Sequence, residues 1–260
     1  MRILAAGVIV AAIIVIAVIV TGKKPDQESE AGREYLESLE VQSTSQAENE
    51  IREAKQAKID ANREQLISQL EDGTIDVWSQ FDDYVVMGDS RAVGFSYFGF
   101  LPEDRVLAEG GATIRNIEGY MDTLKALNPT HIFLCYGLND ISIGFWQTAD
   151  DYCAEYMSII QDLKTQFPNA TIYVNSAILA IDPAFAKAEI WRSIPDWNQV
   201  LKETCAANSV PFVDNQEICE EHSDLHDPDG IHVQREFYPY WAINMIMAQY
   251  GVENEEESDG

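Results

Sequence analysis

The sequence predicts an α/β fold, a three-layer α/β/α sandwich whose central parallel sheet has about five strands. Short apolar runs alternate with longer segments of helical periodicity from residue 84 to residue 250. Strands that alternate with helices form parallel sheets that are covered on both faces. The hydrophobic fraction of 46% is large enough for a buried core. A transmembrane helix and a polar helical stalk are predicted to precede this fold.

The N-terminal element is an apolar run over residues 3–21, which is close to the length that a helix needs to cross a membrane. No Ala-x-Ala-like site follows the run, so we expect residues 1–22 to form an uncleaved anchor rather than a signal peptide. Arg2 on one side and Lys23 and Lys24 on the other leave the orientation open. A long acidic domain after a first apolar segment is usually exported, so we expect a single-pass protein of the cell membrane with an extracytoplasmic domain.

Residues 23–76 are predicted to form a polar helical stalk or linker. They are rich in Glu, Gln, Lys, Ala and Ser, with a thin apolar stripe at helical spacing. A solvated spacer explains this pattern, and the heptads are too irregular to predict an oligomer.

The globular domain is predicted over residues 77–251, and an acidic disordered tail over residues 252–260. Five short apolar runs are predicted strands, at 84–87, 105–108, 131–136, 171–174 and 210–213. Helices are predicted after Ser90 and at 114–127, 149–167, 195–207 and 233–250, two of them ended by Asn-Pro or Pro-Asn pairs.

Composition excludes some functions. The net charge is −27, which argues against a nucleic-acid partner and against docking on anionic lipid through a basic face. The four cysteines match no zinc pattern. Cys135 and Cys153 lie in apolar patterns and are expected to be buried, whereas a Cys205–Cys219 disulfide is left open. No cofactor and no metal are expected.

Four short blocks, in a fixed order, carry the chemistry: residues 88–90, 110–113, 137–140 and 229–232. They supply a serine, backbone and amide donors, and an Asp-His pair, which are the parts that acyl transfer requires. Ser90, Gly111 and Asn139 each follow a predicted strand, and ligands of parallel sheets bind beyond the carboxyl ends of the strands. The first three blocks are therefore expected to meet at one edge of the sheet.

These blocks resemble those of the SGNH/GDSL hydrolase family over roughly residues 82–250, as in a membrane-anchored bacterial-type member. The resemblance implies the SGNH hydrolase, flavodoxin-like fold. It implies that Ser90 is the nucleophile, that His232 is the general base, and that Asp229 orients it. Ser90, Gly111 and Asn139 would form the oxyanion hole. The second block is the least specific, and Gly111 fits it better than Gly110.

Each of these assignments has a structural alternative. Ser90 could be a helix N-cap, and Gly111 could serve only a turn that needs a positive φ. Asn139 could cap its own backbone, and Asp140 is expected to support the loop. His222 and His226 are the rivals for the base, and Asp227 is the rival for the orienting acid. A metal site is the alternative for a cluster whose spacing fits no standard site, namely His222, Asp224, His226, Asp227, Asp229 and His232.

We therefore expect a serine ester hydrolase that removes acyl or acetyl groups, from a small acyl ester or an acylated glycan of the cell envelope. O-acyl transfer, lipase and thioesterase activities use the same residues. A non-catalytic binding or scaffold module on a stalk is the alternative of another class. The aromatic residues that could either stack on sugar rings or pack the loops are Phe145, Trp146, Phe185 and Trp191.

Overall fold

A computed structural model describes residues 46–47, 49–54, 56–69 and 72–259, with side chains up to residue 251. The predicted anchor at residues 1–22 and half of the predicted stalk, mainly residues 23–45, lie outside the described residues. Within the described ranges, no helix is both long enough and apolar enough to cross a membrane. The chain divides into two compact units, Met1–Lys58 and Ile59–Gly260. The described residues of the first unit are helical.

The second unit contains the predicted parallel sheet, with five strands in the order β2-β1-β3-β4-β5. The strands are β1 (Tyr84–Gly88), β2 (Val106–Ala108), β3 (His131–Cys135), β4 (Thr171–Asn175) and β5 (Phe212–Val213). All four pairings are parallel, with Val86 opposite both Val106 and Phe133. The carboxyl end of β1 therefore lies between the ends of β2 and β3.

Helices cover both faces of the sheet. They are α1 (Ser90–Tyr97), α2 (Met121–Leu127), α3 (Leu138–Ile143), α4 (Ala149–Gln166), α5 (Ile194–Ala207), α6 (Gln216–Glu221) and α7 (Tyr238–Asp259). One core packs α1, α6 and α7 against alternate strand residues such as Val86 and Phe133. A second core packs α2, α4 and α5 against the intervening residues, such as Val85 and Ile132. This alternation of strand residues between two cores produces the three layers.

Several element boundaries differ from the prediction. The helix expected at 114–127 is a 3₁₀ helix, Ile114–Tyr120, followed by α2; Gly119 is a poor helix former near that junction. The strand expected at 210–213 is reduced to β5, because Pro211 has no N–H to donate. The short helices α3 and α6 were not predicted.

The C-terminal helix begins and ends later than predicted. Val233 forms an antiparallel bridge with His226, so the helix expected from residue 233 begins at Tyr238. The structure describes α7 as far as Asp259, and the disordered tail at 252–260 stays a prediction.

The described residues before position 77 include a helical segment, residues 59–69, that belongs to the second unit. Ile59, Leu66 and Ile67 pack against the α1/α7 core. Arg63 donates from Nε to Asn244 Oδ1 at 3.0 Å and pairs with Glu217 at 2.8 Å. The sequence predicted the domain to start at residue 77, whereas the compact unit begins at Ile59.

Candidate active site

Three of the four sequence blocks lie at the carboxyl edge of the sheet. Ser90 is the first residue of α1, directly after β1. Gly111 lies in the turn after β2, and Asn139 lies at the start of α3 after β3. Since β1 is between β2 and β3, Ser90 lies between the two loops that carry the amide groups.

The fourth block meets Ser90 through His232. His232 Nε2 lies 3.0 Å from Ser90 Oγ, and its Nδ1 lies 2.7 Å from Asp229 Oδ2. The three groups form a continuous hydrogen-bonded relay between residues 142 positions apart. The side chains of His232 and Asp229 are 43% and 32% exposed, so the relay is open to solvent.

Asp229 is held as a carboxylate. Its Oδ1 accepts hydrogen bonds from the backbone N–H groups of Ile231 at 2.9 Å and His232 at 3.0 Å. Burial opposes its ionisation, but these bonds and the His232 side chain outweigh burial and lower the pKa of Asp229 to about 2. The carboxylate is thus available to orient the imidazole and to stabilise its protonated form.

The loop that carries the Asp-His pair is hydrogen-bonded to the loop after β4. Gly230 adopts a φ of 72°, and its carbonyl accepts the Ile181 N–H at 2.9 Å. A Cβ at this position would collide with the Ile181 carbonyl and approach the Ala184 nitrogen to 2.9 Å. Gly230 is therefore required by both the left-handed backbone and the close approach of the two loops.

The rival histidines are engaged elsewhere. The ring nitrogens of His226, which is buried, lie 3.2 Å from the Ser223 carbonyl and 2.9 Å from the Leu179 carbonyl. His222 stacks on Tyr240 with ring centroids 3.9 Å apart. Asp227 donates its backbone N–H to the His232 carbonyl at 2.8 Å. The structure thus places His232 and Asp229, and none of these rivals, beside Ser90.

The predicted amide donors lie on two loops that contact each other. Gly111 has a φ of 81°, so the turn does require a glycine-like conformation there. Asn139 does not cap its own backbone. Its Nδ2 donates to the Ala112 carbonyl at 3.0 Å, and because an amide nitrogen carries two hydrogens, one of them is left for a ligand.

The sequence missed Arg91 as a member of this site. Its guanidinium is buried and donates to both carboxylate oxygens of Asp89, at 3.1 Å and 2.7 Å, and to the Ile178 carbonyl at 2.7 Å. Asp89 also caps α1, with its side chain accepting the Arg91 N–H at 2.9 Å. The N-cap role suggested for Ser90 therefore belongs to Asp89. Arg91 occupies the position that is usually Leu in the resembled motif, and this departure was the only signal in the sequence.

The rim aromatics divide into two groups. Trp146 and Trp191 are buried and donate from their indole nitrogens to Glu155 at 2.8 Å and to the Leu138 carbonyl at 2.9 Å. Phe145 is 51% exposed, and Phe185 is half-buried under the Arg192 guanidinium, 4.0 Å from its ring centroid. The tryptophans thus pack the loops, and Phe145 is the more exposed of the two phenylalanines.

A groove of about 570 Å³ adjoins the second block. Its lining is polar and aromatic: Glu109, Arg115, Asn116, Glu118, Gly119 and Tyr120. In the described part of the chain, the groove included, no three His, Cys, Asp or Glu side chains are grouped as metal ligands. All four cysteines are free thiols, so Cys205 and Cys219 are not bridged.

A protein-family comparison gives a match over more than half of the chain. The model of the GDSL-like lipase/acylhydrolase family matches residues 86–238. Among curated proteins, no sequence matches this one.

Solved structures share the fold. A GDSL-like lipase from Bacteroides thetaiotaomicron VPI-5482 superposes with a TM-score of 0.51 and 16% identity, over 75% of this chain and 98% of that one. A protein described as a GDSL-like lipase from Parabacteroides merdae ATCC 43184 has a TM-score of 0.51 and 16% identity, over 65% of this chain and 97% of that one. A lipase/acylhydrolase from Enterococcus faecalis has a TM-score of 0.48 and 14% identity, over 65% of this chain and 95% of that one.

Proposed function

Since the chain belongs to the GDSL-like lipase/acylhydrolase family and is a carboxylic ester hydrolase, we propose that it works through an acyl-enzyme on Ser90. The observation that carries this proposal is the relay from Ser90 Oγ to His232 Nε2 at 3.0 Å and from His232 Nδ1 to Asp229 at 2.7 Å. A serine hydroxyl is a weak nucleophile until such a base accepts its proton.

In the proposed mechanism, His232 takes the Ser90 proton as Oγ attacks the ester carbonyl. The oxyanion of the tetrahedral intermediate accepts hydrogen bonds from the Ser90 and Gly111 N–H groups and from the Asn139 amide. His232 then gives its proton to the departing alcohol, which leaves an acyl-Ser90 ester. A water molecule, deprotonated by His232, hydrolyses that ester and restores the free serine.

We propose a short acyl group, such as acetyl, on a carbohydrate as the substrate. The exposure of His232 and Asp229 leaves room on the leaving-group side for a large alcohol. Carboxylate, amide and phenol groups of Glu109, Asn116 and Tyr120 line the adjoining groove and suit sugar hydroxyls. The accessible ring of Phe145 suits stacking on a sugar face. Solvent access to the relay favours hydrolysis over transfer to a second sugar.

The proposed location is the outer side of the cell membrane, with residues 1–22 as the anchor. It rests on the apolar run of the sequence and stays a prediction. A glycan substrate of the cell envelope would be within reach of such an enzyme.

The first test removes the nucleophile. Ser90→Ala should lower kcat/KM for p-nitrophenyl acetate by at least about 10³-fold, because the acyl-enzyme cannot form. Ser96→Ala, in the same helix, should keep wild-type activity, since its hydroxyl only contacts the Val93 carbonyl. A fluorophosphonate should label Ser90 in the wild-type protein. Labelling of another serine in an active protein would contradict the assignment, and an inactive wild type would favour the scaffold alternative.

The substrate proposal is tested separately with acetylated glycans and p-nitrophenyl esters of rising chain length. We expect kcat/KM to fall from acetyl towards octanoyl and to be highest for an acetylated glycan. A preference for octanoyl over acetyl would contradict it and point to a lipase.

A further inference from the structure

Asp140 is a buried carboxyl group for which the proposed mechanism has no direct use. It is fully buried, one residue after Asn139. Its Oδ1 accepts the Ile114 N–H at 2.9 Å, and its Oδ2 accepts the Gly137 N–H at 3.0 Å. The Asp140 side chain therefore links its own loop, through Gly137, to the loop of Ile114, which lies 26 positions earlier in the chain.

The two loops belong to strands that are not neighbours. One follows β2 and carries Gly111, the other follows β3 and carries Asn139, and β1 with Ser90 lies between them. Adjacent strands are about 4.8 Å apart, so the ends of β2 and β3 are separated by roughly 10 Å at the sheet edge. The Asp140 bridge spans this gap beyond the end of β1. The Asn139 bond to the Ala112 carbonyl at 3.0 Å is a second link between the same loops.

We propose that Asp140 is a positioning residue, whose ionised carboxylate sets the spacing between the Gly111 N–H and the Asn139 amide across the bound ester carbonyl. This inference rests on the function proposed above. An oxyanion hole stabilises charge only if its donors are already placed where the oxyanion develops. Asp140 supplies that placement without touching the substrate.

The ionised form is the one that can make both bonds. Each carboxylate oxygen accepts one backbone N–H, whereas a protonated carboxyl carries a hydrogen on one oxygen and presents a donor to a donor. Burial raises the pKa of Asp140 to about 7; the N–H bonds oppose this rise, and the charge of Asp89 adds to it. The carboxyl group therefore changes its charge close to neutral pH.

Four other titratable groups face Asp140. Asp89 is paired with the Arg91 guanidinium at 2.7 Å. Three buried tyrosines also face it, Tyr136 from the end of β3 and Tyr152 and Tyr156 from α4. Burial raises the pKa of each phenol well above its ordinary value, so all three stay neutral.

Positioning and stability then respond to pH in opposite directions. The pKa of Asp140 rises from its usual 3.8 to about 7 on folding, so the folded chain binds the proton more tightly. Its contribution to the free energy of unfolding is present below about pH 4 and is lost as the pH rises through about 7. The form that positions the donors is thus the less stable one, which a purely structural carboxyl would not show.

The main test is Asp140→Asn, whose amide oxygen can accept only one of the two N–H groups. For p-nitrophenyl acetate, kcat should fall about 10²-fold, as expected for donors displaced by a fraction of an ångström, while KM changes little. The matched control is Asp122→Asn, an exposed aspartate of α2, which should keep wild-type kcat. An Asp140→Asn protein that folds and keeps wild-type kcat would overturn the proposal.

Two pH measurements complete the test. As the pH rises from 5 to 8, the free energy of unfolding of the wild type should fall relative to that of Asp140→Asn. In the ¹⁵N-labelled His232→Ala protein, the amide resonances of Ile114 and Gly137 should shift together, with one midpoint near pH 7. This second measurement does not depend on the folding of Asp140→Asn, and amide resonances that do not shift, or shift independently, would overturn the proposal.

The two proposals fail differently. If Ser90→Ala retains activity, the proposed function is wrong. If Ser90→Ala is inactive but Asp140→Asn retains kcat, the proposed function stands and the positioning role is wrong.

Discussion

At the scale of single residues, the 226–232 loop holds two histidines whose ring nitrogens have different hydrogen-bond partners. The ring nitrogens of His226 both face carbonyl oxygens, so neither is directed at a proton donor. His232 has a carboxylate on one nitrogen and a hydroxyl on the other. Burial and local partners, and not residue type, therefore determine which imidazole can act as a base.

We predict that His232→Ala lowers the acylation rate by at least about 10³-fold and Asp229→Asn by about 10²–10⁴-fold, since the amide releases the imidazole tautomer. His226→Ala should instead reduce the free energy of unfolding by about 1–3 kcal/mol, because it removes a buried imidazole whose Nε2 lies 2.9 Å from the Leu179 carbonyl. Its acylation rate per folded molecule should change only a few-fold. Stopped-flow kinetics with p-nitrophenyl acetate and denaturant unfolding measure the two quantities. A His226→Ala rate as low as that of His232→Ala would contradict the assignment.

The low pKa of Asp229, about 2, separates its titration from that of Asp140. The Asp229 carboxylate contributes stability that is present above about pH 4 and lost only as the pH falls through about 2. A loss of activity between pH 7 and pH 4 therefore cannot come from protonation of Asp229.

At the scale of elements, the nucleophile helix α1 packs directly on the C-terminal helix α7. The Tyr238 hydroxyl, at the start of α7, donates to the Arg91 carbonyl at 2.8 Å. Gly94 makes this approach feasible, since a Cβ there would overlap the Tyr238 ring. Phe95 adds an edge-to-face contact with the same ring at 4.9 Å. The orientation of Ser90 thus depends on a helix that begins 148 residues later in the sequence.

We predict that Gly94→Ala lowers the free energy of unfolding by about 1–3 kcal/mol, because the added methyl group overpacks this interface. It should also lower kcat, since α1 must shift. Gly119→Ala is the control, because a Cβ at that position meets nothing within 4 Å, and its stability should be unchanged or slightly higher. Equal stabilities of the two variants would show that α1 and α7 are less tightly packed.

The same scale shows which features a single sequence can predict. The strands were found because each is a short apolar run ended by turn residues, a local pattern. The helices α3 and α6 have six residues each, too few to show a helical period. The start of α7 was misplaced because Val233 pairs with His226, a backbone contact without a signal in side-chain hydropathy.

The same difference between local patterns and long-range contacts explains which site residues a sequence can reveal. Ser90, Asp229 and His232 could be singled out because each lies in a short block of consecutive residues. The structure brings the three side chains together, and their catalytic roles stay a proposal. Arg91 was missed because its role depends on the Ile178 carbonyl, 87 residues away, and the Asp140 bridge depends on a backbone group 26 residues away. Contacts of this kind form only when the chain folds, so no local sequence pattern indicates them.

At the scale of the whole molecule, the sheet separates two cores that hold two free cysteines each. Cys135 and Cys219 lie in the α1/α7 core, and Cys153 and Cys205 lie in the α4/α5 core. Burial raises the pKa of Cys153 to about 11 and those of Cys205 and Cys219 to about 12. Because the thiolate is the reactive form, these thiols should be inert in the folded protein.

The buried cysteines can therefore report separately on the two sides of the sheet. A thiol reagent added in excess can modify a cysteine only when the layer above it detaches. Mass spectrometry of the modified peptides over time would show whether the side that holds Ser90 opens before the opposite side. Simultaneous modification of all four would show that the two layers detach in one step, so the natural sequence already contains the reporters for a side-resolved unfolding experiment.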